Sequence, residues 1–515
     1  MKTTATTVDA VADKLLVLLV GECVSERENS GLPAWLGAAA CAIARRDIEL
    51  TRFAGRWGEV LDVSLPPATT AERLVLVGCG RKLDRARLAR LGARVLSELV
   101  RLNANDAAIS LAAAPVDPLR CEEALSALAT GMAMKADQGF TLHTRQAPAK
   151  TLPERITFLV DEADVAASRA HLQTADAVAD SVTLARRLVN APPNHMTPSR
   201  LVAEAAQLES PGLSVDVFLG DEKLKGDFPG LVAVGAGSAE PSAVAILSWR
   251  GAASTAPIVA FSAKGVTFDG GGLTPKSEGE QRLMKIDMAG AACAIAVMAA
   301  VARLRLPLNV VAAIGAVENL PGPHAYRSGD VITMGDGTTV EISFPDAEGR
   351  IVMGDLNAWL ARHHGPDVLV NLSTLTGTAV AALGEDCCAL FSNDDALARS
   401  LTDAAAEIGE AYWRLPVGER YSSLLGSEVA DFKNMIAPGT FGILGGSASA
   451  AAEFLRHFAG DRRWGSLDFL GPTWRSAPHD LGPAGATGRP VWALIRWLEK
   501  MAAESRGSGS VDPAR

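Results

Sequence analysis

The first 170 residues alternate short apolar runs with longer stretches in which apolar positions recur at helical spacing. The runs typical of buried strands are 15–21 (LLVLLVG), 73–80 (RLVLVGCG), 107–114 (AAISLAAA) and 154–160 (ERITFLV). A helix is predicted over 84–102, where apolar residues recur at the spacing of one helix face. Strands that alternate with helices predict an α/β domain whose parallel or mixed sheet is covered by helices.

Three prolines interrupt this pattern. A helix predicted over 174–189 ends at NAPPNHMTP (190–198), because proline has no backbone N–H with which to continue a helix. We interpret 171–195 as a linker helix and proline-rich turn between two domains. Beyond the turn, strands are predicted near 231–234, 243–249, 257–263, 308–316, 367–373 and 465–470. Helices are predicted near 280–303, 351–363, 394–407 and 446–458.

The predicted domains are an N-terminal α/β domain over 1–170 and a larger α/β domain over 196–503 with a mixed central sheet. Residues 504–515 are mostly small and polar, which predicts a disordered tail. Two domains agree with the length of 515 residues, because a single core stops growing well below that length.

Composition and charge narrow the class of protein. The net charge of −10 argues against nucleic acid as a main partner, because its phosphates attract basic proteins. Seven cysteines without a CxxC spacing indicate neither a disulfide framework nor a zinc ribbon, and they fit a reducing compartment. The N-terminal apolar run lacks the basic flank of a signal peptide. No apolar run approaches the roughly 18 residues that cross a bilayer, so we predict a cytoplasmic protein without a membrane partner.

Several common catalytic motifs are absent from the sequence. The histidines form no HExxH zinc motif, and neither GxSxG of serine hydrolases nor the phosphate-binding GxxxxGK[ST] occurs. The glycines of VGCG (77–80) do not form GxGxxG, and a tight turn after a strand accounts for them. Candidate chemistry therefore lies with carboxylates and lysines.

Carboxylates and lysines concentrate in 257–292 (PIVAFSAKGVTFDGGGLTPKSEGEQRLMKIDMAGAA). Lys264 and Asp269 lie at the end of a predicted strand, three glycines then allow a sharp turn, and Lys276 follows. Asp287 lies in an apolar, alanine-rich helical stretch, where an aspartate is costly unless it is paired or bound to metal. From this stretch alone, Asp287 is either the ion-pair partner of a lysine or a metal ligand.

A second acidic cluster is FPDAEGR (344–350). If the backbone is extended, Asp346 and Glu348 share one face, because side chains alternate along a strand. Two carboxylates on one face repel unless a cation lies between them, and such pairs can hold two divalent ions. Arg350 can bind a small anion through its planar guanidinium. For this motif alone, a solvated turn is the open alternative.

Together the two clusters resemble the leucyl aminopeptidase (cytosol aminopeptidase) family, two-metal enzymes that remove N-terminal residues from peptides. The resemblance is carried by KGVTFDGGGLTPK, the MKIDMAGAA helix and DAEGR. Further matches follow in the same order over 180–495: LVNAPPNHMTP, VGAGS, VENLPG, RSGDVI, LSTLTG, ADFKN and GATGRPV. The N-terminal part resembles the family only in its α/β pattern, and a macro-like domain is expected there.

The resemblance implies two divalent ions per subunit, zinc or manganese. The implied ligands are Lys264, Asp269, Asp287, Asp346 and Glu348. Asp269 and Glu348 would bridge the ions, and the lysine ligand would bind as a neutral amine whose pKa is depressed by burial and by the metal. The two implied catalytic residues are Lys276, which polarises the scissile carbonyl, and Arg350, which holds a bicarbonate.

The implied mechanism is metal-assisted hydrolysis of the N-terminal peptide or amide bond. A metal-bridged hydroxide attacks the carbonyl carbon, and the ions and Lys276 stabilise the anionic intermediate. Bicarbonate on Arg350 then passes a proton to the leaving amine. The residues implied in substrate binding are Met284, Phe344, Thr374, Leu375 and Gly377.

The sequence departs from the family pattern beside these residues. Phe344 and Pro345 stand where the family has Asn-Thr, so an aromatic ring replaces a polar substrate contact, and the proline restricts Phe344 to an extended conformation. Gly270 replaces the usual serine, and Pro275 precedes Lys276. Every implied ligand is present, but the preference for leucine-like N-termini does not follow.

We therefore predict an aminopeptidase that acts on peptides with a free N-terminus. A specialised peptidase or amidase that trims one dedicated peptide, for instance in a biosynthetic pathway, is the alternative among enzymes. A non-catalytic hexameric binding protein, which keeps the carboxylates as an ion-pair network, is the alternative of another class. The resemblance also implies a homohexamer. The sequence leaves open the native metal, the substrate and the role of the N-terminal domain.

Overall fold

The chain folds into two α/β units, which a computed structural model describes for residues 1–7, 15–22, 32–66, 69, 71–145, 151–439 and 444–508. The first unit contains Met1–Asp180, Glu407–Gly409 and Pro478–Pro483. The second contains Ser181–Ala406, Glu410–Ala477 and Ala484–Arg515. Each unit has its own sheet and its own buried apolar core.

The described part of the first unit is built on a six-stranded sheet. Its elements are β1 Lys2–Thr7, β2 Leu15–Gly21, α1 Ala38–Thr51, β3 Val60–Ser64, β4 Arg73–Gly80, α2 Arg85–Arg101, β5 Asp106–Ala113, α3 Cys121–Ala136 and β6 Arg155–Val160. The strand order is β1-β6-β5-β2-β4-β3, and neighbours are parallel except β3 and β4. The predicted N-terminal strands correspond to β2, β4, β5 and β6, and the predicted helix corresponds to α2.

Strand β2 shows why this unit has apolar residues at successive positions. The odd-numbered side chains from Leu15 to Leu19 pack into one core cluster, and the even-numbered ones from Leu16 to Val20 pack into another. Successive side chains point to opposite faces of a sheet, so a strand covered on both faces is apolar throughout. The α/β prediction for this unit is confirmed.

Helix α4 (Val165–Asn190) runs from the first unit into the second, and the division after Asp180 falls within it. The helix begins earlier than the predicted 174. The linker proposed at 171–195 includes the division. After the proline turn, Thr197 accepts a hydrogen bond from the Arg200 N–H at 3.4 Å and caps the next helix.

The second unit is built on an eight-stranded sheet. Its helices are α5 Pro198–Ala206, α6 Asp221–Leu224, α7 Pro229–Gly235, α8 Glu278–Gln281, α9 Ala289–Arg303, α10 Glu348–His363, α11 Gly377–Leu383, α12 Asp395–Glu407, α13 Glu419–Ser422, α14 Ser447–Ala459 and α15 Val491–Ser508. Its strands are β7 Leu213–Leu219, β8 Ala243–Arg250, β9 Ile258–Asp269, β10 Asn309–Asn319, β11 Val331–Thr333, β12 Thr339–Glu341, β13 Val368–Ser373, β14 Cys387–Ser392, β15 Ala411–Arg414, β16 Phe432–Lys433, β17 Arg463–Asp468, β18 Trp474–Arg475 and β19 Gly485–Ala486.

The order in the large sheet is β15-β14-β17-β13-β9-β10-β8-β7. The four central strands β17, β13, β9 and β10 are parallel, whereas β14 runs antiparallel to β17 and β8 antiparallel to both β10 and β7. The predicted mixed central sheet is confirmed. Because the central strands are parallel, their carboxyl ends meet at one edge, which positions the candidate site.

The helix predicted over 280–303 is interrupted. It consists of α8, a 3₁₀ helix at Met284–Met288, and α9. At the start of α9, Gly290 has no room for a side chain, because a Cβ there would lie 2.1 Å from the carbonyl oxygen of Leu372 on β13. This close approach holds the 3₁₀ helix, which contains Asp287, against the sheet.

The helical stretch Met284–Arg303 also corrects the prediction that no segment is long and apolar enough to cross a membrane. By length and composition this stretch could cross a membrane, but 83% of its most apolar 18 residues are buried inside the protein. Such burial is usual for a core helix. Burial among other elements, not a membrane, accounts for its apolar composition.

One further prediction is wrong, and another lies mostly outside the described residues. The strand predicted at 231–234 is part of helix α7, where Leu231 and Val234, three positions apart, both enter the core. A short apolar run fits either element, and Pro229 in the first turn favours the helix. Helix α15 continues to Ser508, into the predicted tail, and residues 509–515 lie outside the described residues.

Candidate metal centre

The candidate site lies where the central parallel strands end. Asp269, Asn319 and Asp468 are the last residues of β9, β10 and β17, and Thr374 directly follows β13. All four are at most 3% exposed. Sheets of this kind bind ligands outside the carboxyl ends of their strands.

Lys264, inside β9, brings several distant residues together. Its Nζ lies 2.6 Å from Asp287 Oδ2 and 2.8 Å from Glu348 Oε1. It also donates a hydrogen bond to the carbonyl oxygen of Thr374 at 3.0 Å. The Thr374 hydroxyl donates to Asp287 Oδ1 at 2.8 Å. Residues from a strand, a 3₁₀ helix, the start of α10 and a loop therefore surround one buried ammonium group.

Lys276 forms the second half of the cluster. Its Nζ lies 2.6 Å from Asp269 Oδ2 and also pairs with Asp346. The glycine turn makes this possible: Gly271 has a φ of +90°, which favours glycine, and its N–H donates to Asp269 Oδ1 at 3.0 Å. The turn thus folds Lys276 back over the end of β9.

The FPDAEGR segment is a turn followed by a helix, not the extended backbone that would place Asp346 and Glu348 on one face of a strand. Asp346 lies in the turn, and Glu348 is the first residue of α10. The two carboxylates nevertheless reach the same site, Asp346 beside Lys276 and Glu348 beside Lys264. The start of the helix brings them together, not the alternation of a strand.

Burial and mutual repulsion oppose ionisation of three of the four carboxylates. Burial, with Asp269 and Glu348 nearby, raises the pKa of Asp346 to about 7. Burial also raises the pKa of Asp269, and it raises that of Asp287 well above its usual value. For Glu348, the two lysines outweigh burial and hold the pKa at about 2. The cluster has more negative charge than its surroundings stabilise.

Lys264 is a charged ammonium in this arrangement, whereas the family resemblance implies a neutral amine. Burial opposes that charge, but Asp287, Glu348 and Asp269 outweigh burial and raise the lysine's pKa. The neutral amine expected of a metal ligand needs the opposite shift. Carboxylates alone stabilise the ammonium form, whereas divalent cations among the same oxygens favour the neutral amine.

The donor set fits divalent cations. Carboxylate oxygens of Asp269, Asp346 and Glu348 lie within 4.8 Å of one another. With Asp287, four carboxylates face two ammonium groups, so two formal negative charges remain unbalanced in a buried site. Burying unpaired charge is costly, and oxygen-rich sites of this kind are stabilised by divalent ions.

Arg350 lies in the first turn of α10 and is 3% exposed. Its Nη1 donates to the Asn434 carbonyl at 2.7 Å, but its Nε has no hydrogen-bond partner among the described residues. Burial lowers its pKa to about 10, although Glu348 and Asp468 act in the other direction. A buried guanidinium with an unsatisfied donor near a helix N-terminus fits a small anion.

Of the residues predicted to bind substrate, some lie within the buried cluster and others lie outside it. Thr374 is part of the cluster around Lys264, and Met284 begins the 3₁₀ helix that contains Asp287. The Leu375 N–H donates to Asp468 Oδ1 at 2.9 Å, and Gly377 is the exposed first residue of α11. Phe344 is half-buried. Among the described residues, no side-chain hydrogen bond or ion pair joins Met284, Phe344, Leu375 or Gly377 to the four carboxylates of the cluster, so their roles stay predictions.

Sequence reasoning assigned no role to four buried residues that hold the site. Asn319 donates to Asp269 Oδ1 at 2.9 Å, and the Tyr326 hydroxyl donates to the Pro345 carbonyl at 3.0 Å. Asn434 and Asp468 hold the two loops that flank the cluster. Asn319 and Asn434 lie within VENLPG and ADFKN, two motifs that match the family, so these motifs could have pointed to both residues.

Comparison with protein families identifies both units. Residues 183–495 match the model of the cytosol aminopeptidase family, catalytic domain, and residues 40–144 match that of the cytosol aminopeptidase family, N-terminal domain. A probable cytosol aminopeptidase of Rhodopseudomonas palustris (strain BisA53) is 35% identical over 487 residues, covering 94% of this chain and 95% of the relative. One from Gluconobacter oxydans (strain 621H) is 37% identical over 467 residues, covering 90% and 91%.

Two solved structures are similar over nearly the full chain. The bottromycin maturation enzyme BotP in complex with Mn superimposes with a TM-score of 0.79 at 31% identity, covering 95% of this chain and 100% of BotP. A mutant of tomato leucine aminopeptidase superimposes with a TM-score of 0.81 at 27% identity, covering 97% of this chain and 96% of that chain.

Proposed function

The chain belongs to the cytosol aminopeptidase family, a family of metal-dependent hydrolases, and we propose that it removes N-terminal residues from peptides with two divalent metal ions. The observation that carries this proposal is the buried cluster of four carboxylates and two lysines, which has excess negative charge where the parallel strands end. A non-catalytic ion-pair network has no need of that excess.

The five predicted ligands divide between two ions. Asp269, Asp346 and Glu348 would hold one ion. Lys264 and Asp287, with Asp269 and Glu348 as bridges, would hold the other. When bound, zinc or manganese ions polarise a carbonyl and lower the pKa of a bound water molecule. Manganese in the similar BotP structure supports manganese for this chain.

Two basic residues would act on the substrate itself. Lys276 extends over the centre with its side chain 13% exposed, where its ammonium can donate to the developing oxyanion of the substrate. Arg350 has a free Nε donor for bicarbonate, which would take a proton and return it to the leaving amine.

Metal reconstitution with reporter substrates tests this function. Protein stripped with EDTA should be inactive against aminoacyl-amide reporters and regain activity with Mn²⁺ or Zn²⁺. Lys276→Ala should lower kcat about 100- to 1,000-fold, the usual cost of one oxyanion donor. Lys225→Ala, which removes an exposed lysine paired with Glu222, is the control. Metal-bound wild type that cleaves no reporter would contradict a general aminopeptidase.

A specialised peptidase is the second candidate, and Phe344 favours it. Where the family has asparagine, this chain has the aromatic residue Phe344. Asn434 holds both the N–H and the carbonyl group of the Phe344 backbone by hydrogen bonds. BotP, which is similar over 95% of this chain, is named as a maturation enzyme. Phe344→Asn should broaden or switch the range of N-terminal residues that are cleaved. An unchanged profile across an aminoacyl-amide panel would show that Phe344 does not set specificity.

We also propose a cytoplasmic homohexamer, as the family resemblance implies. Size-exclusion chromatography with light scattering checks this assembly, which would have about six times the chain mass of 53.7 kDa. A monomer at micromolar concentration would contradict it.

A further inference from the structure

Asn434 is a buried amide that contacts the backbone on both sides of the metal-ligating turn. It follows β16, and its side chain is 0% exposed. Its Oδ1 accepts hydrogen bonds from the N–H groups of Ser343 at 2.8 Å and Phe344 at 3.1 Å. Its Nδ2 donates to the carbonyl oxygens of Phe344 at 2.8 Å and Ala347 at 3.4 Å. Every donor of the amide is therefore used.

These contacts set the orientation of the amide. Oδ1 faces backbone N–H groups, and Nδ2 faces backbone carbonyls, so a reversed amide would put donors against donors. Other residues cannot reproduce the pattern at this size, because aspartate lacks the donors and leucine lacks both. The geometry requires asparagine here.

The held backbone groups bracket both carboxylates of the motif. Asp346 lies between Phe344 and Ala347, and Glu348 directly follows Ala347. The amide thus fixes the backbone on both sides of Asp346 and directly before Glu348. Asn434 also accepts, through its own carbonyl, the Nη1 donor of Arg350 at 2.7 Å.

We propose that Asn434 is the positioning residue of the metal centre: its amide holds Asp346 and Glu348 in their ligating positions, and its carbonyl orients Arg350. This inference rests on the proposed metal-binding function. Asn434 is not itself one of the proposed ligands, and it would act through the residues that are. Partners of this kind typically account for 10- to 100-fold in metal affinity or activity when they are removed.

A matched pair of buried amides tests the proposal. Asn434→Ala is compared with Asn357→Ala, because Asn357 is also 0% exposed and donates to the Leu455 carbonyl at 3.0 Å and to Asn371. The measurements are Mn²⁺ affinity from the EPR signal of free Mn²⁺, kcat/KM with saturating metal, and thermal unfolding. Both variants should lose stability, since each leaves buried groups unsatisfied.

The expected result separates positioning from stability. Asn434→Ala should weaken Mn²⁺ binding about 10- to 100-fold, whereas Asn357→Ala should bind Mn²⁺ as wild type does. Equal Mn²⁺ affinity in the two variants would overturn the proposal. Wild type that binds no Mn²⁺ would instead overturn the proposed function and this inference with it.

A conservative variant covers the case in which Asn434→Ala does not fold. Asn434→Asp keeps an acceptor for the Ser343 and Phe344 N–H groups but loses both donors. It should weaken Mn²⁺ binding several-fold relative to wild type, because its second oxygen would face the carbonyl oxygens of Phe344 and Ala347, to which the amide donated. Wild-type affinity in Asn434→Asp would show that the contacts to the carbonyls do not position the ligands.

Discussion

At the scale of single residues, Gly349 shows how closely the segment that contains the proposed ligands Asp346 and Glu348 packs on Lys264. A Cβ at position 349 would lie 2.5 Å from Lys264 Cε and 2.9 Å from its Nζ. Lysine side chains usually move aside, but this one is held by Asp287, Glu348 and the Thr374 carbonyl. Glycine between Glu348 and Arg350 is therefore required by the position of a side chain, not by backbone conformation.

We predict that Gly349→Ala displaces the Lys264 ammonium from its partners. Mn²⁺ affinity and kcat/KM should each fall about 10- to 100-fold, because a misplaced ligand weakens the centre. Gly354→Ala on the same helix is the control, since its Cβ would meet the ends of Met334 and Phe458 at 3.0–3.1 Å, remote from the ligands. Isothermal titration with Mn²⁺ checks the prediction, and equal affinities in both variants would contradict it.

At the scale of elements, the end of β17 controls the loop after β13. Asp468 accepts hydrogen bonds from the N–H groups of Leu375 and Thr376, both at 2.9 Å, and from the Thr376 hydroxyl at 2.6 Å. Both carboxylate oxygens are used, and the loop they hold contains two of the predicted substrate residues, Thr374 and Leu375. A parallel neighbour strand thus shapes the proposed substrate pocket.

We predict that Asp468→Asn raises KM about 10-fold and lowers kcat by less. The amide NH₂ of the variant would face a backbone N–H of the loop and shift the loop. Asp355→Asn is the control. Asp355 also accepts from two backbone N–H groups, of Leu231 at 2.9 Å and Gly335 at 2.8 Å, away from this loop. Both variants should unfold at lower temperature. An unchanged KM in Asp468→Asn would contradict the prediction.

At the scale of the whole molecule, metal binding should contribute to stability. The proposed metal centre joins β9, the 3₁₀ helix, α10 and the loop after β13, and the proposed ligands come together only in the folded chain. An ion that binds the folded state alone stabilises it by about 2.7 kcal/mol at a concentration 100 times its Kd. The metal-free protein is therefore expected to be the less stable form.

We predict that EDTA lowers the midpoint of thermal unfolding and that Mn²⁺ restores it. Asp346→Asn should remove most of the Mn²⁺-dependent increase, because it replaces a charged carboxylate ligand with a neutral amide and reduces the excess negative charge. Differential scanning calorimetry with and without Mn²⁺ measures the increase. The same increase in wild type and Asp346→Asn would place the stabilising ion elsewhere.

The fold was predictable where elements were long or buried on both faces. Strand β2 and helix α2 followed from apolar runs and helical spacing, because those patterns extend over several turns or strand positions. The run at 231–234 was too short to distinguish strand from helix. Pro229, in the first turn of α7, favours the helix. At Asp346 the sequence left an extended backbone and a turn both open, since the conformation depends on hydrogen bonds to Asn434, which lies far along the chain.

The sequence by itself determined the family, the α/β class and the chemical types at the site, because residue identities and their order are local information. Only the tertiary structure decided which groups meet. It joined Lys264 to Asp287 and Glu348, and Lys276 to Asp269 and Asp346, because parallel strands end at one edge and the glycine turn folds back over it. The charge on each group was likewise decided in three dimensions, since burial and neighbouring charges set the pKa.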